Sequence, residues 1–377
     1  MKFFRKTRAI SSSQGEFDSQ LLTAVLILVG VGLLTIASAG VFYSQTRFGS
    51  PYYFLNRQFL FGIIPGMFAL WFFSRIDYHF WRRFSVVFFG LTVLCLILIF
   101  IPGLGTKVYG ASRWLAIGPF SFQPSEMAKL SIILYLSAWL AKQGKKQVGD
   151  FYEGFIPFLV ILGVLGFLVI KQPDTGTLGL ILCISLGIFF VAGARMTHIA
   201  LIVSGAIGFL GVLIALAPYR MQRMLVFLNP EHDSQGVGYQ VTQALIAVGS
   251  GGFFGAGLGQ SRQKFNYLPE PVTDSIFAVF SEEWGFFGAM VLIGLFTWLI
   301  IRGINVARTA PDDFGRLIAT GVTVWIFAQT FINIMAITGL IPLTGVPLPF
   351  MSYGGTSLVF LLAGVGLMLN ISRQSSQ

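Results

Sequence analysis

The stretch "KFNYLPEPVTDSIFAVFSEEWGFFG" (264–288) carries four carboxylates, Glu270, Asp274, Glu282 and Glu283, the last two well inside an apolar run. Asp274 stands where that run begins. Thr273 or Asp274 there would cap a helix, and the dipole of the helix would keep the carboxylate ionised. An ionised carboxylate at the mouth of a bundle is also what a general base requires, so cap and base are compatible roles. Glu282 and Glu283 are adjacent and cannot share one helix face. At least one must point inward and find a proton or a cation, and a structural polar network is the expected use of the two.

A second constellation lies in "FSFQPSEMAKL" (120–130). Pro124 and Glu126 suit the first turn of a helix. Lys129 follows Glu126 by three residues, on the same face. Two readings stay open: an ion pair that makes Lys129 tolerable in an apolar span, or the polar wall of a substrate cavity.

A third set spreads over "APYRMQRMLVFLNPEHDSQGVGYQVTQALIAVGSGGFFGAGLGQSRQK" (217–264). Arg220 and Arg223 alternate with Met221, Met224, Leu225 and Leu228 at helical spacing. Gln240 and Gln243 share the polar face of a second short helix. Both helices are amphipathic, as helices lying on a membrane surface are. Glycines 249, 251, 252, 255, 257 and 259 precede Arg262 and Lys264. Glycine-rich backbone can form an anion-binding nest, but the spacing matches neither the P-loop nor the dinucleotide fingerprint, and tight packing is the plainer use. Finally "GLIPLTGVPLPFMSYGGTS" (339–357) interrupts the helical pattern with three prolines. Non-helical backbone at membrane depth must line a cavity or be buried in protein. It marks a pocket wall with Ser352, Tyr353 and Ser357 as polar lining.

These residues need elements to hold them. Of 377 residues, 55% are hydrophobic and 11% charged, less than half the charge of an average soluble domain, about 25%. Apolar stretches reach the length that crosses a bilayer as helix. The reading is an all-α polytopic membrane protein with ten spans, near 21–43, 55–74, 84–101, 124–141, 155–170, 176–194, 199–217, 275–301, 315–338 and 355–371. Residues 1–20 form a tail, 21–371 one transmembrane domain with the long loop 218–274 between spans seven and eight, and 372–377 a second tail. The first span is too long for a signal-peptide core and is expected to stay uncleaved. With the N-terminus inside, Lys and Arg number 15 on the inner side against 5 on the outer, leaving aside the long loop. The positive-inside rule then puts both termini in the cytoplasm and the long loop outside. The net charge of +10 sits between spans, so nucleic acid is not the expected partner. Cys95 and Cys183 both lie within spans and have no ligand spacing, and His79, His198 and His232 are scattered, so no metal motif is evident.

"QPSEMAKL", "GYQVTQALIAVGSGGFFGAGLGQSRQKFNYLPEPVTDSIFAVFSEEWGF" and "GVPLPFMSYGGTS", in that order and over nearly the whole chain, resemble the SEDS family of FtsW, RodA and SpoVE. "YYFLNRQ" (52–58) is more similar to FtsW than to RodA. The resemblance implies a ten-span fold in the cytoplasmic membrane and polymerisation of lipid II, the polyprenyl-pyrophosphate-linked disaccharide-pentapeptide, on the outer face. It implies a class B penicillin-binding protein as transpeptidase partner. It puts the family's essential aspartate, in the motif L-P-E-x-x-T-D, on Asp274, and its paired Glu and Lys on Glu126 and Lys129. Val272 and Ser275 stand where many members have His and Phe, so a histidine cannot assist Asp274 here.

The chemistry so implied joins a sugar hydroxyl to an anomeric carbon that loses a diphosphate. It needs a base, Asp274, and cations for the developing charge. Arg220, Arg262 and Lys264 are the candidates for the diphosphate. Arg113, Glu126, Lys129, Gln243, Glu270 and Ser352 complete the expected substrate site. A divalent cation, Mg or Mn, could share the diphosphate, although the outer acids are too few to demand one. With one essential carboxylate, direct inverting displacement is the simplest route. The rival functions are a flippase or proton-coupled transporter of lipid-linked precursors, disfavoured by the lack of an evident inverted repeat, and a scaffold, which leaves Asp274 unexplained.

Overall fold

The computed structural model describes residues 16–375 apart from 109–110, 118–119, 230–232, 234–235 and 266. The basic residues Lys2, Arg5, Lys6 and Arg8, and His232, lie outside the described residues. The chain folds as α1 (Ser19–Phe48), α2 (Tyr53–Gln58), α3 (Ile64–Arg75), α4 (Tyr78–Leu98), α5 (Pro124–Leu140), α6 (Lys145–Val148), α7 (Ile156–Ile170), α8 (Thr175–Ala192), α9 (Met196–Ala215), α10 (Pro218–Leu228), α11 (Val237–Ser250), α12 (Ile276–Thr309), α13 (Asp313–Ile337) and α14 (Gly355–Gln374). Short π-helical turns, Phe59–Ile63 and Phe151–Phe155, join α2 to α3 and lead into α7. Each precedes a proline, Pro65 or Pro157, whose missing N–H cannot serve the α-helical ladder.

Among the described residues nine helical stretches are long and apolar enough to cross a membrane. The tenth span expected from the sequence, α5, has 17 residues, or about 26 Å at 1.5 Å per residue. It is buried along nearly its whole length. α13 runs through the middle of the bundle and packs against α12, α8, α5 and α14. Close approach depends on small residues, as membrane interfaces require. A Cβ at Gly32 of α1 would come within 2.6 Å of the Met351 backbone.

One end of the bundle is pinned by Asp18. It caps α1 through the Leu21 amide, receives Arg302 of α12 at 2.6 Å, and donates its own N–H to Ser372 of α14. The other end carries the irregular structure. Residues 105–122, a plain connection in the helical reading, form an antiparallel sheet β1 (Gly105–Val108), β2 (Ala111–Ile117), β3 (Phe120–Phe122) in sequential order, with Leu115 opposite both Gly105 and Phe122.

α12 is the eighth span expected from the sequence, with a break inside it. Its ladder breaks at Gly285, whose φ of 69° and ψ of −170° suit glycine alone. The glycine-rich loop is spliced into the break. The Ala256 and Gly257 amides donate to the Glu282 and Glu283 carbonyls, and the Phe286 and Phe287 amides donate to the carbonyls of Gly252 and Phe253. The glycines therefore serve close packing rather than an anion nest. A Cβ on Gly285 would lie 2.2 Å from the Gly255 nitrogen. Gly285→Ala is expected to lower the melting temperature and the yield of monodisperse protein. Gly294→Ala, where a Cβ meets nothing within 4 Å, should leave both unchanged. Equal behaviour of the two variants would remove the splice as a stabilising feature.

Candidate active site

Asp274 sits in the turn that leads into α12, at the irregular end of the bundle. It does not cap the helix: α12 begins after Ser275, and no side chain caps it. Its carboxylate instead accepts from Thr273 Oγ1 at 3.3 Å and, at the 3.5 Å limit, from Gln240 Nε2 of α11. Gln240 also reaches Ser275 Oγ at 3.2 Å. The residue expected from α11 was Gln243; one turn earlier on the same face, Gln240 makes the contact.

The backbone around Asp274 is held from three sides. Asn333 of α13 donates from one amide group to the Asp274 and Val346 carbonyls, both at 2.8 Å. Ser352 donates to the Thr273 carbonyl and accepts from the Leu348 amide, so it fastens the turn to the 339–354 loop rather than facing a ligand. Tyr353 donates its N–H to the Val272 carbonyl. Glu270, at φ 51°, receives the Thr273 hydroxyl at 2.9 Å. Burial, and then the Glu270 charge, push the Asp274 carboxyl up to about 6 against the pull of its hydrogen bonds. Desolvation disfavours the charged form, so this group gains a proton in the mildly acidic range while staying mostly ionised at neutral pH.

The cations distribute differently from the sequence expectation. Lys264 is 5% exposed and pairs with Glu283 at 3.0 Å. Arg262 gives its backbone amide to Glu282 at 2.8 Å while its side chain is exposed. Glu282 also takes the Ser261 hydroxyl. The two glutamates thus anchor the loop, the structural network expected of them, and Lys264 is spent on that network. Arg220 turns back to the Leu213 carbonyl and lies over the Tyr219 ring. Arg113, on β2, donates to the Gln172 and Pro173 carbonyls and so docks the sheet on the α7–α8 turn.

Arg223 of α10 is the cation that the charge of Asp274 reaches. It donates to the Leu343 carbonyl at 3.0 Å. Burial lowers its affinity for a proton, and the charge of Asp274 is the largest influence restoring it, with Arg113 and Asp174 also in range. Two residues on, a Cβ at Gly345 would lie 4.0 Å from Asp274 Oδ2. Arg223 had a sequence signal in its amphipathic helix, three residues after Arg220. Asn333 had one as an amide deep in a span, one turn after Gln329.

Glu126 and Lys129 form the expected ion pair, 2.8 Å apart. Lys129 is 0% exposed, lies over the Trp325 ring and reaches Gln329 Oε1 at 3.2 Å. The pair is sealed under α13 and is not a cavity wall. It acts at one remove: Gln329 holds the Pro347 carbonyl at 2.9 Å, one turn from Asn333 on the same helix face.

Beside Thr273 opens a cavity of about 330 Å3 lined by Arg57, Phe61, Trp114, Phe122, Tyr353 and Thr356, among others. It is mainly apolar and aromatic, with Arg57, Ser121, Thr273 and Thr356 as its polar side chains. Among the described residues no three His, Cys, Asp or Glu side chains are grouped to hold a metal ion.

Comparison with known proteins places this architecture. The sequence profile of a family described as cell cycle protein, FtsW/RodA/SpoVE, matches residues 19–377. The chain belongs to this family. It is 43% identical over 359 residues to stage V sporulation protein E of Bacillus subtilis (strain 168), covering 95% of this chain and 97% of that one. It is 40% identical to a probable peptidoglycan glycosyltransferase FtsW of Trichlorobacter lovleyi, covering 95% and 93%. Among solved structures, a peptidoglycan synthase complex described as coordinating polymerization and crosslinking contains a chain that superposes with a TM-score of 0.78 at 28% identity, covering 96% of this chain and 99% of that one. The rod shape determining protein RodA of Thermus thermophilus superposes at 0.69 with 27% identity, covering 96% and 98%.

Proposed function

We propose that this protein is a peptidoglycan glycosyltransferase that polymerises lipid II at the outer face of the cytoplasmic membrane. The observation that carries the reading is Asp274: one carboxylate in a turn held from three elements, with Arg223 within reach of its charge, next to Thr273 in the wall of an apolar cavity. Its relatives of similar length are named for that activity. Asp274 takes the proton from the acceptor sugar hydroxyl as that oxygen attacks the anomeric carbon. The bond from that carbon to the diphosphate breaks, and the electron pair leaves with the diphosphate. Arg223, which takes the place assigned by sequence to Arg220, Arg262 and Lys264, steadies the developing charge, with Arg113 behind it. The aromatic cavity beside Thr273 takes the polyprenyl chain next to the scissile bond. A class B penicillin-binding protein is the proposed partner, supported by the likeness to a chain of a synthase complex.

The test is polymer formation from lipid II by purified protein with its cognate transpeptidase, followed across pH. The base works only when deprotonated. Burial raises its pKa to about 6, so the rate should be near its plateau at pH 7 to 8 and fall about tenfold per pH unit well below that pKa. A flat profile down to pH 5 would exclude Asp274 as base, and the absence of polymer from folded complex would exclude the reaction.

Orientation is tested separately in a variant without Cys95 and Cys183. A cysteine at Thr242 of α11 should react with an impermeant thiol reagent in intact cells. One at Thr309, the far end of α12, should react only after permeabilisation. Both positions are exposed, and the reverse pattern would invert the topology.

A further inference from the structure

A second cavity, larger than the one beside Thr273, has no part in the chemistry above. It measures about 560 Å3 and lies between α1 and the 258–265 loop. Leu34, Val41 and Phe42 of α1 and Leu258 and Phe265 of the loop make its apolar walls. Leu34 and Val41 are exposed on a membrane-spanning helix, so the cavity opens toward the bilayer. Its inner end is polar. Lys264 Nζ donates to Ser38 Oγ and Glu283 Oε1, both at 3.0 Å. An ammonium carries three N–H groups and no acceptor, and these two bonds leave one N–H over; Lys264 lines the cavity with its Nζ 5.9 Å from the centre of the Phe265 ring. A buried donor without an acceptor is unfavourable, and an apolar recess facing lipid is filled by chains rather than water.

We propose that this cavity is a binding site for a membrane phospholipid, its acyl chain along α1 and an ester carbonyl accepting the remaining N–H of Lys264. Charge selects this ligand over a polyprenyl diphosphate. Glu283 already neutralises Lys264, and the other polar lining residues, Ser38 and Gln45, are uncharged, so the polar end offers hydrogen bonds and no surplus positive charge. A neutral carbonyl is served by that, whereas a multiply charged diphosphate would be desolvated without compensation. The bound lipid would brace the loop that Ser261 and Arg262 fasten to Glu282, and through it the segment running on to Asp274. The site does not depend on the proposed polymerase activity.

The test needs no turnover. Phe265, on the cavity wall, and separately Phe209, exposed on α9, are replaced by photo-crosslinking benzoyl-phenylalanine in otherwise full-length protein. Each is placed in nanodiscs of ether-linked phosphatidylglycerol, into which ester-linked phosphatidylglycerol is titrated, and lipid adducts are identified by mass spectrometry. At position 265 the ester lipid should be captured well above its mole fraction and saturate. At position 209 capture should follow mole fraction. Val41→Trp, which fills the cavity, should abolish the excess at 265. Lys264→Met with Glu283→Gln, which removes both charges together, should abolish the preference for ester over ether. Capture at 265 that simply tracks mole fraction, the absence of lipid adducts there, or displacement of the adduct by added polyprenyl diphosphate would each overturn the proposal.

Discussion

Asp274→Asn should fold, reach the membrane and bind its partner, yet lose polymerisation by ~10²–10⁴-fold, the range typical of removing a general base. Asparagine keeps the shape and an oxygen to accept from Thr273 and Gln240, the two side chains that now hold the carboxylate. The clamp on the main chain by Asn333 and Ser352 is untouched, because it grips the Asp274 and Thr273 carbonyls. The amide cannot take a proton at neutral pH. A purely structural aspartate would therefore leave activity near normal, and a transporter would make no polymer with either side chain. The measurement is glycan product from lipid II by purified wild type and variant, each with the cognate transpeptidase. Robust polymer from the asparagine variant would end the assignment.

Lys129→Met should be the most destabilising change in the bundle core. It leaves the Glu126 carboxyl without its cation among apolar neighbours, and breaking a buried pair from one side costs ~3–5 kcal/mol. Glu126→Gln with Lys129→Met removes both charges and should regain most of that loss, read as melting temperature in one detergent. Activity should follow with a lag, since Lys129 also orients Gln329, and Gln329 holds the Pro347 carbonyl in the wall of the site. Strict additivity of the two single changes would mean that the pair contributes nothing as a pair.

Hydropathy located the spans because burial in lipid leaves little choice of residue type. The Glu126–Lys129 contact was equally open to inspection, since spacing along a helix settles which side chains can meet. Asp274 stood out because a carboxylate opening an apolar helix has few inexpensive explanations. What stayed hidden depends on residues distant in the chain. Lys264 looked like a free cation near the site because its partner Glu283 lies across a loop. Gln240 and Gln243 share a helix face, and only the position of the α12 entry turn decides between them. Gly285 sits just past Glu282 and Glu283 in an otherwise apolar run, where a glycine ordinarily continues the helix, and the segment that replaces its missing hydrogen bonds is about thirty residues earlier. The small sheet at 105–122 escaped because strands of three to seven residues carry too short an alternation to register.

The splice at Gly285 also constrains how the protein is made. The 24 residues from Phe286 to Thr309 are long enough to cross a bilayer unaided. Above them, the Glu282 and Glu283 carbonyls and the Phe286 and Phe287 amides have no helical partners. In lipid each such group is unfavourable by several kcal/mol. Their partners, Gly252 to Gly257, precede them in the chain and are already synthesised when α12 emerges from the ribosome. The order of elements therefore supplies the complement before the break is exposed. The same arrangement makes the loop and the upper end of α12 one cooperative unit of opening: neither can part from the other without freeing four main-chain hydrogen bonds together.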